Sequence, residues 1–203
     1  MIDERDLNRA AEAIRADGVV VYPTETAYGL GVNATSENAL KKLYALKQRA
    51  ANKPTHIAVF DIEMANEYTI VDERARLLAD HFLPGPLTLV LPSRRTLPRL
   101  LEEGASGTCG IRIPNHPIAL ELIRRANVPI TTTSANSSGD TTPYTVSEVK
   151  ESFGDAVADI DIVLDAGPLT HTPPSTLVSL VGAEPEILRQ GPVSLADIMA
   201  VLE

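Results

Sequence analysis

Short apolar strands alternate with amphipathic helix faces along this chain from end to end, and that alternation points to an α/β architecture. Leu7, Ala10, Ala11 and Ile14 share one helix face, and Gly18 is placed to end that helix. Residues 19–22 read as a short buried strand closed by Pro23. A second helix opens at Thr35 or Ser36. Leu40, Leu43 and Tyr44 line its face, and Lys47 falls one turn further along, close to Arg49. Residues 57–60 read as a strand. Asp72 caps a helix with Ala75, Leu78, Ala79 and Phe82 on one face, stopped by Pro84-Gly85-Pro86. Strands follow at 87–91 and 111–113, then a helix opened by Pro117, then an extended run at 128–133. Thr145 and Glu148 form a capping-box pattern, with Phe153-Gly154 at the far end. Strands at 160–164, 176–180 and 186–189 precede a last helix capped by Ser194. There is no repeat and no linker-like tract. The expected fold is one domain over 1–203, built on a twisted mixed sheet with flanking helices; the strand-rich last third argues against a purely parallel one.

Charge and cysteine content narrow the function classes. A net charge of -9 over 203 residues argues against a surface built for bulk nucleic-acid binding, though not against a local basic groove. The single cysteine, Cys109, allows no internal disulfide and reads as a small buried thiol in a reducing compartment. No apolar run reaches membrane-spanning length, and the acidic start lacks a signal-peptide core, so the expected location is cytoplasmic. The four histidines are scattered, with no zinc-like spacing.

Against this acidic background, positive charge is concentrated in Lys47-Gln48-Arg49-Ala50-Ala51-Asn52-Lys53-Pro54. A solvated helix end explains such a cluster about as well as a phosphate clamp does, in which arginine binds bidentately and lysine acts as a point charge. Thr131-Thr132-Thr133-Ser134-Ala135-Asn136 carries more hydrogen-bonding capacity than a turn requires, and residues at a strand end of an open α/β sheet often face a ligand crevice. Cations with dense neutral donors suit a polyanion such as a nucleoside triphosphate. In Tyr22-Pro23-Thr24-Glu25-Thr26-Ala27-Tyr28-Gly29-Leu30-Gly31, the glycines allow close backbone approach or a positive φ, in a plain turn or a phosphate cradle. Gly-Leu-Gly is neither a Walker A loop nor a dinucleotide fingerprint. Arg112, between Ile111 and Ile113, suits either a carboxylate ligand or an exposed strand face.

Taken in order, these segments resemble the YrdC-like family, the threonylcarbamoyl-AMP synthases. The landmarks are 22–31, Lys47-Gln48-Arg49, Lys53-Pro54, Leu83-Pro84-Gly85-Pro86 with 87–91, and Ile111-Arg112-Ile113-Pro114. They continue with Ser134-Ala135-Asn136-Ser137-Ser138-Gly139, Leu164-Asp165-Ala166-Gly167-Pro168, Ser175-Thr176-Leu177-Val178 and Ile187-Leu188-Arg189-Gln190-Gly191. The resemblance implies the short, single-domain form: a twisted open sheet of parallel and antiparallel strands around a concave, positively charged cavity. It implies that L-threonine, bicarbonate (or CO2) and ATP, with Mg²⁺, give threonylcarbamoyl-adenylate and pyrophosphate. A separate transferase complex would use the adenylate to modify adenosine 37 of tRNA. By the same resemblance Lys47, Arg49, Ser134 and Asn136 would hold ATP and the reacting carbamate. Lys53, Thr108, Tyr144 and Arg189 would touch the nucleotide, and Thr26, Arg112, Ser134 and Ser175 the threonine. No protein metal ligand is implied.

The match has departures: Gln48, Ala50 and Thr133 replace commoner residues, and Ala58 stands where many members place a histidine near threonine. His56, two positions earlier on the same strand face, is positioned to compensate. The competing readings are a double-stranded RNA or tRNA-binding module, and a paralogue acting on a different small substrate. A complete carbamoyl-transfer enzyme of the hydrogenase-maturation kind is excluded, because it needs clustered zinc-binding cysteines.

Overall fold

The computed structural model describes residues 2–50, 53, 55–102 and 107–203. Among them nine strands form one mixed sheet. They are β1 (Val20–Pro23), β2 (Tyr28–Gly31), β3 (His56–Ala58), β4 (Leu87–Pro92), β5 (Thr108–Arg112), β6 (Ile130–Ser134), β7 (Ile162–Val163), β8 (Thr176–Ser179) and β9 (Glu186–Arg189). Their spatial order is β7-β1-β2-β6-β3-β5-β4-β8-β9. The pairs β1–β7, β3–β5 and β4–β8 are parallel, and the other five are antiparallel. Strand β6 is the hinge of the sheet. Its Ser134 and Thr133 pair with β2, and its Thr132, Thr131 and Ile130 pair with β3.

The helices are α1 (Glu4–Arg15), α2 (Glu37–Leu46), α3 (Ile62–Tyr68), α4 (Glu73–Phe82), α5 (Arg99–Glu102), α6 (Pro117–Ala126), α7 (Val146–Phe153) and α8 (Leu195–Leu202). Local chemistry starts most of them. Asp3, Thr145 and Ser194 close reciprocal capping boxes with Asp6, Glu148 and Asp197, and Ser36 and Asp72 accept from the first-turn amides of α2 and α4. Each such cap stabilises its helix by about 1 kcal/mol. Gly18 does not itself take the left-handed conformation after α1; Asp17 does, at φ 61°. Gly18 is needed one step later, where a Cβ would come within 2.8 Å of the Ala13 carbonyl oxygen.

The segment at 28–31 is a buried strand, neither a plain turn nor a glycine cradle. Its glycines have ordinary φ, and their function is to make room. A Cβ on Gly29 or Gly31 would lie 3.0 or 2.8 Å from the buried Tyr22 ring. Tyr22 in turn donates its hydroxyl to the Thr131 carbonyl at 3.0 Å, tying β1 across to β6.

Strand alternation splits the core into two layers. Val21, Leu30, Ile57, Leu89 and Ile111 point to the larger one, which α2, α4, α7 and α8 cover. Val20, Tyr22, Ala58 and Ile130 point the other way, under α1 and α6. Full burial of each large side chain contributes about 1.5–3 kcal/mol. Helices α1 and α6 cover only part of this second face. Along the same rows the lining changes from Ala58 and Ile130 to His56, Thr132, Arg112 and Thr88, and the sheet opens into a cavity.

Gly110 sets the depth of that opening. A Cβ there would sit 2.2 Å from His56 Nδ1 on the neighbouring parallel strand. Gly110→Ala is expected to displace the His56 ring and cost about 1–3 kcal/mol, as for other overpacked interiors. Urea denaturation of the variant against the parent checks this; an unchanged midpoint would contradict the packing account.

Candidate active site

The cavity encloses ≈ 290 Å³ and brings together residues from both ends of the chain. Thr24 and Thr26 come from the turn between β1 and β2, and His56 from β3. Thr88 belongs to β4, Arg112 to β5, Thr132 and Ser134 to β6, Ser175 to the approach to β8, and Arg189 to β9. Arg49 and Tyr144 complete the rim. Among the described residues three arginines line this space and no carboxylate does. Of the residues expected from the sequence, Thr26, Arg49, Arg112, Ser134, Tyr144, Ser175 and Arg189 are on its wall.

Four others are placed differently. Lys47 is not a solvated cation at a helix end. It is 2% exposed, and its Nζ donates to the carbonyls of Ser134 and Asn136. Burial, with Arg49 nearby, pushes this ammonium down to about 7, against a smaller pull upward from Asp140. Its backbone carbonyl accepts from the Ser138 amide, so the end of α2 is tied twice to the segment after β6. Asn136 donates through Nδ2 to the Asp140 carbonyl at 2.8 Å, while its Oδ1 is buried with no hydrogen-bond partner. Lys53 is exposed, and its carbonyl accepts from Arg49 Nε and the Tyr44 hydroxyl. Thr108 opens β5 opposite Pro92, about 13 Å along the strand from Arg112. Ala51, Asn52 and Pro54 of the cation-rich stretch lie outside the described residues.

Arg112 is buried, not on an exposed strand face. Its Nη2 donates to Glu25 Oε1 at 2.8 Å and to Thr26 Oγ1 at 3.0 Å. Arg189 donates to the Ser175 carbonyl at 2.9 Å and hydroxyl at 3.2 Å; that hydroxyl is 2.8 Å from Thr88 Oγ1. At the rim the Tyr144 and His171 rings stack with centroids 3.8 Å apart. Such a wall can bind a polyanion through Arg49 and Arg189 and a carboxylate through Arg112, while the hydroxyls of Thr26, Thr88, Ser134 and Ser175 orient neutral polar groups. Cys109 points into the main core, where burial raises its thiol to about 12, out of reach of nucleophilic work.

Thr132 and Thr133 lie on the wall, as the hydroxyl-rich strand end implied, whereas the sequence did not single out Thr88, Thr142 or Thr172. For Thr88 a signal existed: it is the lone polar residue in an otherwise apolar strand, on the face opposite Leu87 and Leu89.

His56 is held neutral. Burial first, then Arg189, Arg49 and Arg112, push it from 6.5 down to about 4. Between those values the unfolded chain binds a proton that the folded one does not. Stability is therefore fully present above pH 6.5 and falls as the pH drops toward 4, by roughly 3 kcal/mol. A His56→Gln variant should lose this component. Denaturation midpoints of both proteins across that pH range test it, and parallel curves would remove His56 as the cause.

Comparison with known proteins places this geometry. A family model for Sua5, YciO and YrdC, described as "Telomere recombination", matches residues 12–191. A threonylcarbamoyl-AMP synthase of Pyrococcus abyssi is 40% identical over 99% of this chain and 58% of its own length. The crystal structure of P. abyssi Sua5 complexed with L-threonine superposes with a TM-score of 0.92 at 38% identity, over all of this chain and 58% of that one. Escherichia coli YciO superposes at 0.84 with 27% identity, over 98% of this chain and 95% of that one. The chain thus spans about three-fifths of the length of the P. abyssi relative and nearly all of YciO. With most of its length matched by the family model and its fold superposing on these structures, the chain belongs to the Sua5/YciO/YrdC family.

Proposed function

We propose that this protein is an L-threonylcarbamoyladenylate synthase. The observation that carries the reading is the convergence of Thr26, Arg49, Arg112, Ser134, Tyr144, Ser175 and Arg189 on one cavity. L-Threonine, the ligand in the P. abyssi Sua5 structure, would lie toward Arg112 and Thr26, its carboxylate on the guanidinium. ATP would lie toward Arg49, Ser134 and Tyr144, with Arg189 between the two. Asn136, Lys53 and Thr108 stand off the wall and are not assigned a direct nucleotide contact.

The chemistry asks mainly for placement. The threonine amine adds to CO2 and loses a proton, giving a carbamate that is labile in water. A carbamate oxygen then bonds to the α-phosphorus of ATP, and the bond to the β-phosphate oxygen breaks to release pyrophosphate. Holding the two reactants in line, away from bulk water, is the principal task of the wall. The arginines stabilise the charge that builds on the phosphates. Lys47 acts from behind: by holding two carbonyls it fixes Ser134 and Asn136 at the end of β6. Among the described residues no cluster of three histidines, cysteines or carboxylates is arranged for a metal, and no carboxylate lines the cavity. These residues suit Mg²⁺ arriving on the ATP phosphates as part of the substrate. The product, a reactive mixed anhydride, requires an acceptor enzyme, which we place in tRNA threonylcarbamoylation. Among the described residues no helix is long and apolar enough to cross a membrane, in keeping with a cytoplasmic setting for that pathway.

The likeness to YciO, nearly equal in length, favours a second reading: a paralogue with the same cavity and another small substrate. One assay separates them. Pyrophosphate release should require both L-threonine and bicarbonate, and mass spectrometry should find threonylcarbamoyl-adenylate. Folded protein that binds ATP but gives no such product would move the assignment to the paralogue. Arg49→Ala should lower adenylate formation about 10²–10³-fold with little change in melting. Asn136→Ala should lower it too, with some loss of stability because the Asp140 contact goes. Parental rates in the folded variants would break the site assignment.

A further inference from the structure

Arg112 does not meet the cavity as an isolated cation. Its charge is matched by Glu25, which is not part of the lining and reaches it from the turn between β1 and β2. That turn is stiff. Thr24 Oγ1 donates to the Ala27 carbonyl at 2.7 Å and accepts from the amides of Thr26 and Ala27 at 3.2 and 3.1 Å. Arg189 differs, spending its donors on the neutral carbonyl and hydroxyl of Ser175. The Arg112 corner is thus a plus-minus pair within a wall that otherwise presents cations and hydroxyls among the described residues.

This pair is also incompletely satisfied. Arg112 Nε and Glu25 Oε2 are both buried without a hydrogen-bond partner, while Arg112 is only 6% exposed. Buried donors and acceptors are normally paired, and an ion pair out of water is favourable only when its remaining atoms find partners. A ligand that brings both a carboxylate and an ammonium matches both charges of the pair: its carboxylate meets Arg112 at the wall, and its ammonium is drawn by the field of Glu25 behind it. A free anion satisfies only the arginine and is repelled by the carboxylate beside it.

We propose that Glu25 is a specificity-determining residue of the amino-acid subsite: by pairing with Arg112 it keeps this corner of the cavity neutral, so that it accepts a zwitterionic α-amino acid and excludes phosphate and pyrophosphate. Glu25 thereby divides one cavity into a zwitterion subsite and a polyphosphate subsite, and stops ATP phosphates from occupying the wrong half. This rests on the amino-acid reading of Arg112 given above.

The test is calorimetric titration of the full chain with L-threonine at increasing inorganic phosphate, for the parent, Glu25→Gln and Glu25→Asp. In the parent, phosphate should leave threonine affinity nearly unchanged. In Glu25→Gln, threonine should bind about tenfold or more weakly, the scale of losing one nearby charge, and phosphate should now compete with it. Glu25→Asp should restore exclusion of phosphate. A gained affinity for an anion is not something general loss of structure produces. If folded Glu25→Gln binds threonine like the parent and phosphate does not compete, the proposal falls while the amino-acid reading stands. If the parent binds neither threonine nor any other proteinogenic α-amino acid, both fall. Should Glu25→Gln not fold, the parent alone decides, through 2,3-dihydroxybutyrate, the threonine analogue lacking the amine. It should bind at least about tenfold more weakly than threonine, and equal or tighter binding overturns the proposal.

Discussion

The cavity depends on strand register. His56, Thr132 and Arg112 reach it because each occupies an alternate strand position on the face shared with Ala58 and Ile130, which belong to the apolar layer there. A slip of one residue in β3, β5 or β6 would send these polar groups into the main core and bring Ile57, Ile111 and Thr131 out. The register is held from both sides. The larger core fixes Ile57 and Ile111, and Thr131 bridges Leu30 and Val32 through its buried hydroxyl at 3.0 and 3.1 Å. The same apolar alternation that folds the sheet therefore aims the site.

A second constraint acts at the end of β6. Peptide carbonyls leaving a strand need donors, and here a buried ammonium supplies them. The desolvation that pushes Lys47 toward 7 opposes its charge, and the two carbonyls favour it. The result is a lysine committed to holding backbone. Charge directed at a ligand is left to Arg49 and Arg189 on the cavity wall, a guanidinium being a weakly hydrated cation with a fork of donors suited to phosphate. Division of labour between a structural lysine and ligand-facing arginines follows from how differently the two cations respond to burial.

Much of the fold was legible because it rests on local signals. The capping residues at Ser36, Asp72, Thr145 and Ser194 open helices as their patterns imply, and 87–91 and 186–189 are strands. Strand β2 was hidden by proline, threonine and glycine, which ordinarily mark a turn; its stability comes from Tyr22, β1 and β6 instead of its own propensity. Helix α3 has seven residues with only Ala65 fully buried, too short for a periodic face. At the site, the clustering of cations and hydroxyls was visible. The burial of Lys47 was not, because a cation at a helix end is usually solvated. Nor was the Arg112–Glu25 pair, whose members are 87 positions apart with no periodicity linking them.

The acid balance of the chain and the cation-lined cavity are compatible for a physical reason. Most of the carboxylates in salt bridges or caps, such as Glu37, Glu63, Glu121 and Glu148, sit on the outer helices, where water and salt screen them. Their field decays over about 10 Å at ordinary ionic strength, whereas charges on the wall of a cavity are screened much less from one another. His56 registers this directly: three arginines and burial hold it neutral despite the net charge of -9. A net charge of -9 opposes the approach of extended polyanions in general, while three arginines on one wall concentrate positive charge within the cavity. That distribution suits a small polyanion inside the cavity better than an extended one across the surface.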